Sequence, residues 1–288
     1  MKRLVCVILV MVLAFGLAAC SGQSPEKAPE PSVGNTTEPT PEPSVENTPE
    51  PAPEIKQEVI VFNDPILEMR VREIIGKPEG DITVEEALAV EVLDVSNKDN
   101  DPNGSIKDIS ALKAFSNLKV LYISLNNISD ISAVAGMKNL EAFYSMNGNG
   151  DITDFTPLAG LTNMLDLSIL DGKNINDSNI GFINDMTSLE MLWISDAPEL
   201  TDISVVSNFK NLWRLNINNT GVSDISPVAG LSNLACIDLS GTKVSDISPL
   251  KELTNLTEYL KLNGCPIKDF SPIKDIYLNI KDKDFEMK

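Results

Sequence analysis

Carboxylates are the abundant side chains in this sequence that could carry out acid–base or metal chemistry. The 288-residue chain has 42 Asp and Glu residues, 23 Lys and Arg residues and no histidine, for a formal net charge of −19. The lack of histidine excludes Ser-His-Asp and Cys-His catalysis and His-ligated zinc. The acidic balance argues against nucleic-acid binding, because phosphates are bound by clustered Lys and Arg.

One set of carboxylates recurs about every 22 residues along the chain. Its members are Asp108, Asp130, Asp154, Asp202, Asp224, Asp246 and Asp269. Two roles are open for this column: a row of cation sites, or hydrogen bonds to backbone N–H groups where a turn or helix begins. The residues that follow, as in Asp224-Ile-Ser-Pro-Val, favour the hydrogen bonds.

A second candidate for metal chemistry is the segment Asp99-Asn-Asp101-Pro-Asn103-Gly104, which matches the opening of an EF-hand calcium loop. The twelfth position of such a loop should be Glu but is Ser110, and Pro102 would stiffen the turn. We therefore expect a plain surface loop, and we predict no metal site and no cofactor.

These groups must be positioned by a repeat that runs through most of the chain. In Leu118-Lys-Val-Leu121-Tyr-Ile123-Ser-Leu-Asn126, alternating apolar residues predict a short strand with one buried face. The later spacing of three, as at Ile128, Ile131 and Val134, suits an extended turn and a short 3₁₀ helix. The unit restarts at Val90, Leu118, Leu140, Met164, Leu189, Leu212, Leu234 and Leu256. One unit cannot bury its apolar edge alone, so the units must stack into a solenoid.

The repeat resembles the bacterial leucine-rich-repeat family, specifically its internalin-like type, over residues 90–275. The resemblance implies an α/β solenoid: a curved, right-handed domain with a parallel concave sheet, a convex side of short 3₁₀ or irregular segments, and a helical N-terminal cap. It also implies adhesion or partner recognition rather than catalysis. The asparagine that this family places after the strand survives only at Asn126. The other units have Gly148, Gly172, Ala197, Thr220, Thr242 and Cys265 at this position.

The N-terminal residues predict export and lipid anchoring. Residues 1–19 combine a basic start with an apolar run, which is typical of a signal peptide, and Leu17-Ala-Ala-Cys20 resembles the bacterial lipobox. That resemblance implies cleavage before Cys20 and a diacylglycerol on its sulfur. Residues 20–55 then form a Pro-, Glu- and Thr-rich stalk. We expect the protein on the extracytoplasmic face of the cell membrane, at the cell surface.

The folded region divides into a cap at residues 56–89 and about eight repeats at residues 90–288. In the cap, Asp64-Pro65 begins a helix that Gly76 ends, and the capping box of Thr83 and Glu86 begins a second helix. At the C-terminal end, residues 277–280 are a candidate closing strand, and this weak end is a candidate surface for self-association.

The repeat frame also predicts a binding patch on the concave face, which is the sheet face that points away from the core. The residues four after each unit's start are Asp94, Tyr122, Tyr144, Ser168, Trp193, Asn216 and Asp238, and the column continues at Lys261, five after Leu256. Flanking positions include Val120. Solvated sheet faces are normally polar, so apolar side chains here indicate an interaction site. The predicted patch consists of Tyr122, Tyr144, Met146, Leu170, Met191, Trp193 and Arg214. A covering loop, or a frame wrong by one residue, would remove it.

The patch is compatible with several functions. A protein partner is the first; a glycan or the cell wall is the second, because sugars also stack on Tyr and Trp; a passive, self-associating envelope protein is the third. An enzyme is disfavoured, because Asp166 and Asp238 lie several strands apart, too far for paired acid–base work. The frame places Cys236 on the concave face and Cys265 in the interior, so we expect no disulfide between them.

Replacement of Cys20 tests the anchor. In Cys20→Ser the acceptor sulfur is absent, so we expect loss of fatty-acid labelling and release of the protein from the membrane fraction. The measurement is metabolic labelling with a fatty-acid analogue followed by fractionation. Cys236→Ser is the matched control, and equal labelling of both variants would contradict the assignment.

Overall fold

A computed structural model describes residues 58–98, 101 and 104–287 of the chain. Within these residues, a pair of helices precedes a series of short strands. The helices are α1 (Pro65–Ile75) and α2 (Val84–Leu88). The strands are β1 (Val92–Asp94), β2 (Val120–Tyr122), β3 (Ala142–Ser145), β4 (Asp166–Ile169), β5 (Met191–Ile194), β6 (Arg214–Asn216), β7 (Cys236–Asp238), β8 (Tyr259–Lys261) and β9 (Asp282–Lys283). The predicted signal peptide, Cys20 and the stalk lie outside the described residues.

Short 3₁₀ helices connect the strands on the other side of the core. They are Ser110–Ala114, Ser132–Val134, Thr156–Leu158, Ile180–Ile183, Ser204–Asn208, Ser226–Val228, Ser248–Leu250, Ser271–Ile273 and Tyr277–Asn279. Among the described residues, we find no helix whose length and hydropathy would let it cross a membrane.

All nine strands form one parallel sheet in sequence order. The register aligns the same position of successive units, so their central apolar residues stack in one buried row. This row contains Leu93, Leu121, Phe143, Leu167, Leu192, Leu215, Ile237 and Leu260. The solenoid and the parallel sheet predicted from the repeats are confirmed.

The aspartate column forms turns, as the sequence predicts. Each of its seven side chains accepts a hydrogen bond of 2.7–2.8 Å from the backbone N–H two residues on, where a 3₁₀ helix begins. At Asp154, hydrogen bonds from the hydroxyl and N–H of Thr156 lower the pKa of the carboxyl. Repulsion within the column is therefore offset one carboxylate at a time by local donors.

The helices before the repeats begin where predicted. Asp64 caps α1 by accepting from the backbone N–H groups of Ile66 and Leu67, and Gly76 ends the helix in the left-handed conformation. Thr83 and Glu86 form the predicted capping box of α2. The second oxygen of Asp64 accepts from the backbone of Lys107, at 2.8 Å, which ties α1 to the first repeat.

A second asparagine, Asn149, occupies the position after the strand, and the sequence analysis missed it. Asn126 donates to the carbonyls of Val95 and Ile123 and accepts from the N–H of Ile106. Asn149 makes the equivalent bonds to Ile123 and Ile128 one unit later. The assignment of this position to Gly148 was wrong, because the unit has one extra residue after β3.

Other side chains take over at this position in later units. Thr220 Oγ1 donates to the carbonyl of Ile217 at 2.8 Å, and Cys265 Sγ donates to that of Leu239 at 3.0 Å. Cys265 therefore lies in the interior slot that the repeat frame predicts, whereas Cys236 lies on the sheet. Both cysteines are free thiols.

The predicted closing strand at residues 277–280 was wrong. Tyr277–Asn279 is a 3₁₀ helix, and the strand that closes the sheet is β9, five residues later. The reason is the spacing of buried residues: Ile273, Ile276 and Ile280 recur at three and four, as in the other 3₁₀ segments. A strand would need a period of two.

Asn126→Ala should destabilise the fold strongly. Its buried amide serves four backbone partners, and leaving them unpaired should lower the free energy of unfolding by about 3 kcal/mol. Urea unfolding followed by circular dichroism measures the change. Asn127→Ala, at the exposed neighbouring residue, is the control and should have a small effect. Equal losses in both variants would contradict the role of Asn126.

Candidate interaction face on the parallel sheet

The strands place Tyr122, Tyr144, Met191, Trp193 and Arg214 of the predicted patch in one sheet, and Met146 and Leu170 follow directly after β3 and β4. Asp94, Tyr122, Tyr144 and Ser168 align in successive strands, and the alignment continues through Trp193 to Lys261. Every member of the patch is half-buried rather than fully exposed. The flanking Val120 differs from expectation, since it is buried at 8 % exposure. The predicted column from Asp94 to Lys261 is therefore aligned from β1 to β8.

Two tyrosines and a buried carboxylate form the first cluster on this face. The rings of Tyr122 and Tyr144 stack in parallel, with centroids 4.4 Å apart and planes 7° apart. Tyr144 Oη donates to Asp166 Oδ2 at 2.5 Å, and Ser168 Oγ donates to Oδ1 at 3.3 Å. Neighbouring strands therefore fix the orientation of both rings.

Asp166 is an unusual carboxylate because it is only 3 % exposed. Burial raises its pKa to about 6, although the hydrogen bonds from Tyr144 and Ser168 and the charge of Arg214 act in the opposite direction. Asp238 lies on β7, with β5 and β6 between it and β4. Three strand spacings correspond to about 14 Å, which is beyond the separation used by paired catalytic carboxylates.

An arginine between two aromatic rings forms the second cluster. The Cζ atom of Arg214 lies 5.4 Å from the ring centroids of both Trp193 and Tyr259. Its Nε donates to Tyr259 Oη at 2.8 Å. Both contacts are within the range of cation–π interactions. The guanidinium is thereby held in one orientation on the sheet.

Tyr259 was missed by the sequence analysis. One extra residue between Leu256 and Leu260 moves Tyr259 into register with Cys236, next to Arg214. The alternation of Leu260 and Leu262 carried the signal, because it sets the strand frame independently of Leu256. Burial raises the pKa of Tyr259, so its hydroxyl keeps its proton at neutral pH.

Towards β9 the face becomes polar. Asn216 donates to Asp238 at 3.4 Å, and Lys261 pairs with Asp282 at 2.5 Å. Burial raises the pKa of the Cys236 thiol to about 11, which leaves it protonated and unreactive. The candidate site is therefore an aromatic and apolar centre with a hydrogen-bonded carboxylate and an ion pair at one end.

Within the described region of the chain, no group of three or more Cys, Asp and Glu side chains is arranged to hold a metal ion. Most of the segment that resembles a calcium loop, including Asp99 and Asn103, lies outside the described residues.

Comparisons with solved structures identify the architecture. An internalin C2 from Listeria monocytogenes has a TM-score of 0.70 and 26 % identity, covering 81 % of this chain and 99 % of that chain. The chain has the internalin leucine-rich-repeat fold. A second internalin from the same organism has a TM-score of 0.57 and 23 % identity, with 81 % and 80 % coverage. No protein-family model matches the sequence, and no curated protein does. The internalin-like fold expected from the repeats is confirmed.

Within this internalin-like solenoid, Asp166 should make stability depend on pH. A pKa raised to about 6 means that the folded state holds the proton more tightly than the unfolded state. The resulting contribution to the free energy of unfolding is fully present below pH 4 and is lost as the pH rises through 6. Relative to Asp166→Asn, the unmodified protein should lose about 2 kcal/mol of unfolding free energy between pH 4.5 and 7.5. Urea unfolding at both pH values measures it.

The control for this comparison is Asp185→Asn, which removes an exposed carboxylate outside the sheet. Its unfolding free energy should follow that of the unmodified protein at both pH values. A constant difference between the unmodified protein and Asp166→Asn would show that the Asp166 carboxyl does not titrate in this range.

Proposed function

We propose that this protein is a recognition module that binds a protein partner on its concave face, without catalysis. The observation that carries the proposal is the contiguous patch of Tyr122, Tyr144, Met146, Leu170, Met191, Trp193 and Arg214 on one side of the sheet. Such apolar surface in the middle of a sheet face is costly to leave in water and is typical of an interface. The internalin-like fold supports the same class of function.

The arrangement of the patch suits tight recognition. The stacked tyrosines are held by Asp166, and Trp193 is held against Arg214, so few rotamers remain to be lost on binding. Aromatic and arginine side chains supply most of the binding energy in known interfaces. The Lys261–Asp282 ion pair and the Asn216–Asp238 hydrogen bond toward β9 provide a polar rim at one end of this centre.

A protein fits this surface better than a glycan does. Sugars stack on open aromatic faces, but Tyr122 and Tyr144 each direct one face at the other, and Trp193 directs one at Arg214. The neighbouring Met146 and Met191 add flexible apolar surface, which suits protein side chains. Glycan or cell-wall binding therefore serves as the alternative outcome of the test.

The proposal includes export and anchoring through a lipid on Cys20. Its support is the basic and apolar start of the sequence followed by Leu17-Ala-Ala-Cys20. The composition of residues 20–55 suits a spacer, which at about 3.1 Å per residue could reach roughly 100 Å from the membrane. The recognition domain would then face outward from the extracytoplasmic side of the membrane, at the cell surface.

The test is ligand capture from cell-envelope and host extracts by the purified protein and by a Tyr144→Ala/Trp193→Ala variant. We expect a protein ligand to be captured by the unmodified protein and lost at least 10-fold in the variant, because both anchors of the patch are removed. Mass spectrometry of the captured material measures this loss. Circular dichroism must first show that both proteins fold alike.

Leu278→Ala is the matched control, because Leu278 is apolar and 88 % exposed but lies outside the concave face. It should capture as the unmodified protein does. Equal capture by the double variant would contradict a concave site, and capture that free saccharides abolish would identify a glycan ligand. Concentration-dependent dimerisation without capture would favour the self-associating envelope protein.

A further inference from the structure

We infer that Arg214 is a carboxylate-binding site, which takes an Asp or Glu side chain of the protein partner. The inference rests on the proposed function and adds the chemistry of the group that the partner must place at the centre of the concave face.

Arg214 differs from the other arginines that the structure describes. Arg70 donates to the carbonyls of Val95 and Gly104, and Arg72 pairs with Glu68 and donates to the carbonyl of Gly80. Both therefore act within the cap and the first repeat. Arg214 forms no ion pair with any carboxylate among residues 58–98, 101 and 104–287.

The donors of Arg214 are mostly available to a ligand. A guanidinium has five N–H groups, and the protein acceptor of Arg214 in the described structure is Tyr259 Oη, which takes the Nε proton. The two Nη atoms keep their four N–H groups for solvent or a ligand. Because Nε is occupied, a carboxylate would bind end-on, with one oxygen at each Nη.

The side chains around Arg214 hold its two Nη donors in place and strengthen the binding of a carboxylate to them. Trp193 and Tyr259 flank the guanidinium at 5.4 Å, so it does not have to be ordered when a ligand arrives. Met191 pairs in register with Arg214 on the neighbouring strand and adds apolar surface beside it. A partner that covers these side chains would exclude water, and a charge-assisted hydrogen bond is stronger in such a site.

The charge of the protein favours a carboxylate over a phosphate. Arg214 is close enough to Asp166 for its charge to lower the pKa of that carboxyl, and the chain has a formal net charge of −19. A phosphate group carries nearly two negative charges at neutral pH and would be repelled more than a carboxylate. The planar carboxylate also matches the paired Nη donors.

Selection from a displayed library of random twelve-residue peptides tests the inference. Peptides that bind the unmodified protein, and not the Tyr144→Ala/Trp193→Ala variant, should be enriched in Asp or Glu at one position. Replacing that residue by Gln or Asn in a synthetic peptide should raise its Kd at least 10-fold. Arg214→Gln should raise the Kd of the acidic peptide by a similar factor, and the two changes together should cause little further loss.

Two further variants separate charge from geometry. Arg214→Lys keeps the charge but not the paired donors, so binding of the acidic peptide should be intermediate. Lys113 is an exposed residue of the 3₁₀ helix Ser110–Ala114, outside the concave face, so Lys113→Gln removes one positive charge and should leave the Kd unchanged. Circular dichroism confirms that each variant folds.

The other outcomes overturn the inference in distinguishable ways. Selected peptides without an acidic residue, with Kd values that Arg214→Gln leaves unchanged, would remove the carboxylate site but retain the proposed function. If the selected peptides lack an acidic residue and free glucuronate displaces them from the unmodified protein, Arg214 would be assigned to an acidic glycan. If no peptide is enriched over the double variant, both the carboxylate site and the proposed protein-binding function fail.

Discussion

The parallel register between successive strands is the constraint on which the rest of this structure depends. A single unit of about 22 residues offers only two or three apolar side chains from its strand and a few from its 3₁₀ segment, too few to form a core. Stacking in register joins these side chains into one continuous interior, from Leu93 to Leu260. The same register aligns every position of one unit with the same position of the next, including the positions that face away from the core.

The same repetition gives hydrogen-bond partners to polar groups that would otherwise be unsatisfied. After each strand the chain turns into the interior, and Asn126, Asn149, Thr220 and Cys265 bond there to backbone groups of their own or adjacent units. On the opposite side, each aspartate of the column starts a 3₁₀ helix. The aspartate bonds span only two residues, so they persist when a unit gains or loses a residue elsewhere.

The candidate site also follows from this register. Residues facing away from the core align across strands, which brings Tyr122 onto Tyr144 and Arg214 between Trp193 and Tyr259. Asp166 is buried beneath this surface at some cost in stability, since its charged form is desolvated. It accepts the hydrogen bond of Tyr144, which together with stacking on Tyr122 orients the Tyr144 ring.

The sequence by itself determined the solenoid, most of the strand frame and the turn role of the aspartates. These follow from periods of two and three that repeat eight times, so a local error is corrected by the next unit. Only the tertiary structure decided the exceptions: Asn149 in place of Gly148, Tyr259 beside Arg214, and β9 rather than residues 277–280 as the closing strand. Each exception results from a single inserted residue or from a chain end. There, packing against one neighbouring unit sets the position of the segment, and the repeat spacing does not. The partners of Asp166 and Arg214 also came from the structure, because contacts between strands depend on register and side-chain orientation across about 22 residues of intervening chain.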